Sequence, residues 1–428
     1  MDNVLAQCRP GSSVRQVTIA VAGGGSRGTT YAGYAVQHPD QARVVAVAEP
    51  RDYYRENLAK IHGIPRENVF KDWRELAARE RLADAVIIAT QDAMHAEPAI
   101  ALADKGYNIL LEKPMAPNER DCRRIVEAAL RKRIIFAVCH VMRYAPFTQR
   151  LKALLDSGAI GEIINIQMLE PVGYWHQAHS FVRGNWRNSK ESSFMLLAKC
   201  CHDLDWLRYM IGAKYVSVAS FGSLKHFRRE NQPVGAADRC LDCGIEPNCP
   251  YSAKKIYFAS LAKGPGRFPV SVITPEPTVE SVTKALREGL YGRCVYACDN
   301  DVVDNQVVIM RFEHERTASL TMTAFNQSNN RRMRIFGTLG EATGDGVTIS
   351  HYDFLTDKTE VIDTRQSSSV MQSHGGGDYE IMKSFVAAVS TNDKSRILSG
   401  PMESLETHLA VFAAERSRLE GVVVNVSS

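Results

Sequence analysis

One stretch constrains the fold of this chain more than any other: Val17-Thr18-Ile19-Ala20-Val21-Ala22-Gly23-Gly24-Gly25-Ser26-Arg27-Gly28, an apolar run that stops in glycines before an Ala-rich helical pattern. It reads as a buried strand, a tight turn and a helix start. Gly23, Gly25 and Gly28 fill the Gly-x-Gly-x-x-Gly spacing, which permits a sharp turn, close approach of a pyrophosphate to the main chain, and tight helix–strand packing. Backbone N–H groups at the helix start, around Ser26 and Arg27, then face the phosphates. A second apolar strand, Arg43 to Ala48, ends in Glu49, 21 residues beyond Gly28, where a ribose-binding acid belongs. The plain alternative is a glycine turn and an unrelated acid in an ordinary α/β unit.

A chain of 428 residues reads as two domains. The sequence suggests a polar, mobile leader over 1–14, a dinucleotide-binding domain over 15–143, and a second domain over 144–428 interrupted by an insertion at about 222–300. The net charge of +4 is small and no block of like charge stands out, which speaks against a nucleic-acid partner. No apolar run approaches a membrane span and the N-terminus lacks the pattern of a signal peptide, so a cytoplasmic setting is the expectation. The ten cysteines are then expected as thiols or metal ligands rather than disulfides.

In the first domain, Glu49-Pro50-Arg51 favours NAD, because the acid can accept from both ribose hydroxyls. NADP stays open, since Arg51 can pair with a 2′-phosphate. A third strand over 84–90 ends at Thr90, and His95 beyond it either reaches the cofactor or is solvated at a helix start. A fourth strand over 107–111 ends in Glu112-Lys113-Pro114. A lysine at a strand's carboxyl end beside a proline-fixed turn can sit by a nicotinamide and polarise a substrate oxygen. A last strand over 134–138 leads to His140, Arg143 and Tyr144.

Gly23-x-Gly25-x-x-Gly28, Ala48-Glu49-Pro50-Arg51, Ala89-Thr90 with His95, Glu112-Lys113-Pro114 and His140-x-x-Arg143-Tyr144 together resemble the glucose/fructose oxidoreductase, inositol dehydrogenase and rhizopine-catabolism (Gfo/Idh/MocA) family. The resemblance implies an N-terminal Rossmann domain and a C-terminal α/β domain with a large open, mostly antiparallel sheet. It also implies NAD or NADP as cofactor, action on hydroxyls of sugars or cyclitols, a homodimer or homotetramer formed through the open sheet, and a catalytic or substrate-polarising Lys113.

In the second domain, the stretch 173–187 carries Trp175, His176, His179, Arg183 and Trp186. These suit a pocket that stacks on a sugar ring and pairs with its polar groups, the alternative being a structured loop with satisfied aromatics. Ser192-Ser193 before the run 194–211 and Gly212 after it predict one helix. On that helix Lys199, His202 and Asp205 form a polar strip, with His202 suited to move a proton. The family's Asp-x-x-x-His-x-x-Asp pattern is matched by His202 and Asp205, but Ala198 stands at the first acid. This departure suggests that Lys199 and His202 share acid/base work with Lys113, while Arg143, Tyr144 and Asp205 join the substrate site.

The insertion contains Cys240-x-x-Cys243-x-x-x-x-x-Cys249-Pro250 and Cys294-x-x-x-Cys298. Cys240, Cys243 and Cys249 with Cys294 or Cys298 can close a structural zinc site, while free thiols or a redox pair are the other readings. His374-Gly375-Gly376-Gly377-Asp378 reads as a loop able to close on substrate, or as a bare linker. The functional expectation is hydride transfer between nicotinamide and a hydroxyl or keto carbon of a sugar, sugar acid or cyclitol. Two rivals are an NAD-dependent glycosidase acting by transient oxidation and a non-catalytic NAD-binding sensor.

Overall fold

The structure, a computed structural model, describes residues 15–327, 330–365 and 373–426; the leader and part of the segment before His374 lie outside them. The first sheet is parallel, six-stranded, and ordered β3-β2-β1-β4-β5-β6. Its elements run β1 (Val17–Ala22), α1 (Ser26–Gln37), β2 (Ala42–Ala48), α2 (Asp52–His62), β3 (Val69–Phe70), α3 (Trp73–Ala78), β4 (Ala85–Ile88), α4 (Ala96–Asp104), β5 (Asn108–Leu111), α5 (Glu119–Lys132) and β6 (Phe136–Val138). Helices cover both faces, so the strands are apolar throughout rather than alternating; all four residues of β4 are buried. The carboxyl ends of β1, β2, β4 and β5 define one edge, and the functional side chains collect there.

After α6 (Pro146–Asp156) the chain enters the second sheet with β7 (Ile163–Pro171), then passes through α7 (Tyr174–His176), a π-helical turn (Gln177–Arg183), α8 (Met195–Ala198), α9 (Cys201–Ile211) and β8 (Tyr215–Ser223). The insertion between β8 and β9 holds α10 (Ala253–Ala262), α11 (Val270–Ile273) and α12 (Val279–Glu288). It has its own small core of Tyr257, Val270, Val282 and Leu286. Then come β9 (Asn305–Phe312), β10 (Thr317–Thr323), β11 (Arg332–Gly337), β12 (Gly340–Gly344), β13 (Thr348–Asp353), β14 (Lys358–Asp363), α13 (Gly377–Thr391), α14 (Pro401–Glu420) and β15 (Val424–Asn425).

The nine-stranded sheet is ordered β14-β13-β12-β11-β7-β10-β9-β8-β15, and only β7 and β10 pair in parallel. Along β9 burial alternates strictly, as one covered and one open face require. On the covered face Met310, Leu320 and Ile335 pack against Leu204, Trp206 and Leu207 of α9. The last two helices return to the first domain: α13 adds Ile381, Met382 and Phe385 to the cluster around Ile19 and Val21, and α14 adds Leu405 and Leu409 to the cluster under β4 and β5. A division at 143/144 therefore separates the sheets but not the helices. No helix among the described residues is long and apolar enough to cross a membrane.

Candidate active site

The turn after β1 is sterically closed. Gly23 has φ +95°, and a Cβ there would lie 2.4 Å from the Ala89 carbonyl oxygen; a Cβ on Gly28 would lie 1.9 Å from that of Gly23. Beside the turn, Glu49 accepts from the Gly24 N–H at 2.8 Å and the Arg51 N–H at 3.0 Å, and its carboxylate is bracketed by the Arg51 guanidinium at 2.7 and 3.0 Å. Burial works to raise the Glu49 carboxyl, but the Arg51 and Gly24 donors hold it below the usual range. Arg51 also lies over the Tyr54 ring, 4.2 Å from its centroid. Gly25 precedes α1 as its cap and Ser26 opens the helix. The Arg27 side chain turns away from the turn: its Nε donates to Glu112 Oε1 at 2.7 Å and its terminal nitrogens reach Asp378 and Tyr31, which leaves to its backbone N–H the part expected at the helix start.

The turn Lys113-Pro114-Met115 is held through the Lys113 and Met115 N–H groups, the Pro114 carbonyl and the lysine ammonium. The Lys113 N–H donates to Glu112 Oε2 at 2.7 Å, and Glu112 also accepts from Tyr31 at 2.9 Å. His95 Nδ1 meets the Pro114 carbonyl at 2.7 Å and its Nε2 the Thr90 carbonyl at 3.2 Å, so this ring, 1% exposed, is placed as a clamp between two loops. Thr90 donates to the Met94 carbonyl. His408 on α14 accepts from the Met115 N–H at 2.9 Å through Nε2 and donates from Nδ1 to the Ser404 carbonyl at 2.7 Å, which fixes its tautomer. Lys113 Nζ donates to the Ala198 carbonyl at 2.9 Å, across the two domains.

The predicted helix over 194–211 is broken. The Lys199 and Cys200 N–H groups still bond to the Met195 and Leu196 carbonyls, but Cys200 leaves helical geometry between α8 and α9; Gly212 closes α9 in the left-handed conformation as expected. Ser192 and Ser193 hold Asp92 of the first domain instead of capping. The break dissolves the expected strip of Lys199, His202 and Asp205, because the three now face different partners. Lys199 Nζ pairs with Glu170 at 3.2 Å, and Arg331 joins Glu170 to Asp203. Asp205 accepts both Nε and Nη2 of Arg143 at 2.7 Å, fully buried, and Arg143 also reaches the Leu398 carbonyl. Tyr144 is tied to Ser399 and the Leu398 N–H. Arg143, Tyr144 and Asp205 are thus placed as a buried brace between β6, α9 and the segment before α14, not as a pocket wall.

His202 stays near the lysine turn, 5% exposed, with Nδ1 buried and without a hydrogen-bond partner. Its ring lies 5.8 Å from His374 and 5.9 Å from His140. Burial, and then the Lys113 charge, push the His202 imidazole well below its ordinary pKa. The structure thus brings Lys113 and His202 together, the ammonium bonded to the carbonyl four residues before the imidazole. Burial also lowers His140 to about 3 and His408 to about 4. The His374–Asp378 loop is folded onto the site: His374 Nδ1 meets Asp378 at 3.1 Å.

Of the five residues expected to orient a ring, Trp175 and His176 are half-buried and stacked, 5.5 Å between centroids, with Phe268 beside both. Burial and the neighbouring Lys199 push His176 well below its ordinary pKa. Trp186 is exposed. His179 and Arg183 face the insertion: His179 meets the Tyr257 hydroxyl at 2.8 Å and stacks on Tyr291, and Arg183 donates to the Arg293 and Tyr251 carbonyls. Sequence reasoning missed Glu170, Arg331 and His408, which carry no motif and meet the site only through long-range packing.

The nine cysteines among the described residues are all free. Cys240, Cys243, Cys249 and Cys294 line one cavity of about 220 Å³, but no three His, Cys, Asp or Glu side chains among the described residues converge on a point that would hold a single ion. The zinc expectation therefore lacks its geometry, because a tetrahedral zinc draws its sulphurs to about 2.3 Å from one centre.

A parallel sheet with a glycine-closed phosphate turn and an acid beyond the second strand, joined to an open mixed sheet, defines a two-domain Rossmann protein of the dehydrogenase type. The chain belongs to the Gfo/Idh/MocA family: the description "Oxidoreductase family, NAD-binding Rossmann fold" matches residues 17–140, and that of its C-terminal alpha/beta domain matches 152–426. A 2,7-anhydro-N-acetylneuraminate hydratase of Mediterraneibacter gnavus is 29% identical over 49% of this chain and 53% of its own length. A levoglucosan dehydrogenase of Pseudarthrobacter phenanthrenivorans is 29% identical over 40% of this chain and 42% of its own. The chain thus spans about half the length of these curated relatives. A levoglucosan dehydrogenase solved with NADH and levoglucosan shares the fold, with TM-score 0.70 and 18% identity over 97% of this chain and all of that one.

Proposed function

We propose that this protein is an NAD-dependent oxidoreductase that moves a hydride between the nicotinamide and a hydroxyl or keto carbon of a sugar, sugar acid or cyclitol. The observation that carries the reading is the meeting of the Lys113 ammonium with the segment that leads into His202. Gly23, Gly25 and Gly28 leave room for the pyrophosphate and Glu49 stands ready for the ribose. Bound NAD supplies or accepts the hydride. Lys113 donates a hydrogen bond to the reacting oxygen and offsets the charge that develops there. His202, kept neutral by burial and by Lys113, takes the hydroxyl proton in oxidation and returns it in reduction. Lys199 acts through Glu170, and Trp175 and His176 offer a stacked face to the ring.

NAD is favoured over NADP because the Arg51 guanidinium already brackets Glu49; a 2′-phosphate would have to displace a carboxylate that is 2% exposed. The exposed Phe221, Val307 and Ile309 on the open sheet support a homo-oligomer formed through that face. Purified protein with NAD and a panel of sugars, cyclitols and uronates, followed by absorbance of the reduced cofactor, tests the reading. Lys113→Ala is expected to lose at least about 100-fold in turnover while still binding NADH; unchanged turnover refutes the assignment. The hydratase relative supports a second reading, a conversion in which the cofactor is oxidised and restored within one cycle. Product release from an anhydro-sugar or aryl glycoside without net NADH identifies it.

A further inference from the structure

The insertion contains a cavity that the proposed hydride chemistry does not use. Cys240, Cys243, Cys249 and Cys294 all line it, and Arg183 lies in its wall with no exposed surface and with Nη1 unpartnered. Arg183 Nη2 and the Ala253 N–H each point at Cys240 Sγ at 3.5 Å, and Gln232 points at Cys294 Sγ at 3.8 Å. Donors aimed at sulphur suit thiolates bound to metal. The remaining lining, including Ile245 and Val295, is largely apolar apart from Glu246 and Asn248; Arg183 Nε and Nη2 are met by the Arg293 and Tyr251 carbonyls, so it is the buried Nη1 that calls for an acceptor.

A single zinc does not meet this demand, because the sulphurs do not converge on one point. The space they surround, about 220 Å³, is on the order of seven water volumes, which suits a multi-atom core and not one ion.

We propose that these four cysteines bind a [4Fe–4S] cluster, with Arg183 donating to it through the free Nη1. Binding forms four bonds from iron to cysteine sulphur and releases the four thiol protons to solvent; two ferrous ions, two ferric ions and four sulfides are supplied to the chain, so no redox step is needed. Because Arg183 ends the π-helical turn that begins directly after His176, the cluster fixes the insertion against the wall of the cleft. The inference stands independently of the sugar reading.

The full chain, purified and reconstituted anaerobically with iron and sulfide, tests it. About four iron and four acid-labile sulfide per chain are expected, with a broad visible absorption that bleaches under dithionite. Cys243→Ala and Cys249→Ala should lose the cluster while keeping NADH binding; Cys298→Ala, whose thiol donates to the Cys294 carbonyl outside the cavity, should keep it. One zinc per chain without sulfide, no sulfide after reconstitution, or equal iron and sulfide in Cys243→Ala, as adventitious loading would give, overturns the proposal.

Discussion

Replacing Gly28 by alanine sets two physical effects against each other. Gly28 is the third residue of α1, and alanine there gains about 1 kcal/mol of intrinsic helix propensity. The added Cβ, however, would sit 1.9 Å from the Gly23 carbonyl oxygen and 3.3 Å from Val21 Cγ1. To restore an ordinary contact the helix start must retreat by about 1.5 Å from a strand packed on both faces, and a clash with backbone of this size falls at the upper end of what overpacking costs, about 2–3 kcal/mol. After the propensity gain, a net loss of about 1–2 kcal/mol is expected, a fall of roughly 1–4 °C in Tm for a chain of this length. Gly25→Ala is the control: φ there is −71°, and its Cβ meets only the far end of the long Arg51 side chain, at 3.1 Å. That variant should keep its Tm yet lose about tenfold or more in NADH affinity, because the methyl group enters the approach to the pyrophosphate. Scanning calorimetry and fluorescence titration of NADH separate the two. A Gly28→Ala protein with an unchanged or raised Tm would refute the steric reasoning.

Three further outcomes follow from buried charge. His140, lowered to about 3 by burial, makes no hydrogen bond through either ring nitrogen. As pH falls below the ordinary histidine value of about 6.5, the unfolded chain takes up this proton before the folded one, so stability is lost. His140→Met should therefore shrink the loss of urea stability between pH 7 and pH 5 by about 2 kcal/mol, and an unchanged difference argues against a neutral His140. Asp205→Ala strands the Arg143 guanidinium and should cost about 3–5 kcal/mol in urea unfolding; a cost below about 1 kcal/mol would mean the pair is not buried as described. Glu49→Gln frees Arg51 for a 2′-phosphate and should shift the ratio of NADH to NADPH affinity toward NADPH by about tenfold, read by titration of both.

Local signals carried the first domain well. The glycine spacing at 23–28 and the apolar runs ending at Glu49, Thr90 and Glu112 locate the strands and their functional edge, since a parallel sheet covered on both faces writes itself as uninterrupted apolar segments. The two-residue β3 is too short to leave such a trace. The run 194–211 looks like one helix because its side chains suit a helix on both sides of Cys200; the interruption shows only in the partners that Lys199 and Asp205 find, Glu170 and Arg143. For the same reason Arg27, His95, His179 and Arg183 look like ligand contacts in sequence, where a polar residue near a motif has no visible partner. Glu112, Thr90, Tyr257 and the Arg293 carbonyl are those partners, and packing alone delivers them.

His408 takes its proton donor from Met115, 293 positions earlier in the chain. A ribosome has therefore to finish almost the entire polypeptide before the lysine turn can acquire its final shape. Fragments cut after the first sheet would keep the ties of this turn to Glu112 and His95 but lose those to His408 and Ala198, so Lys113 would be only half secured.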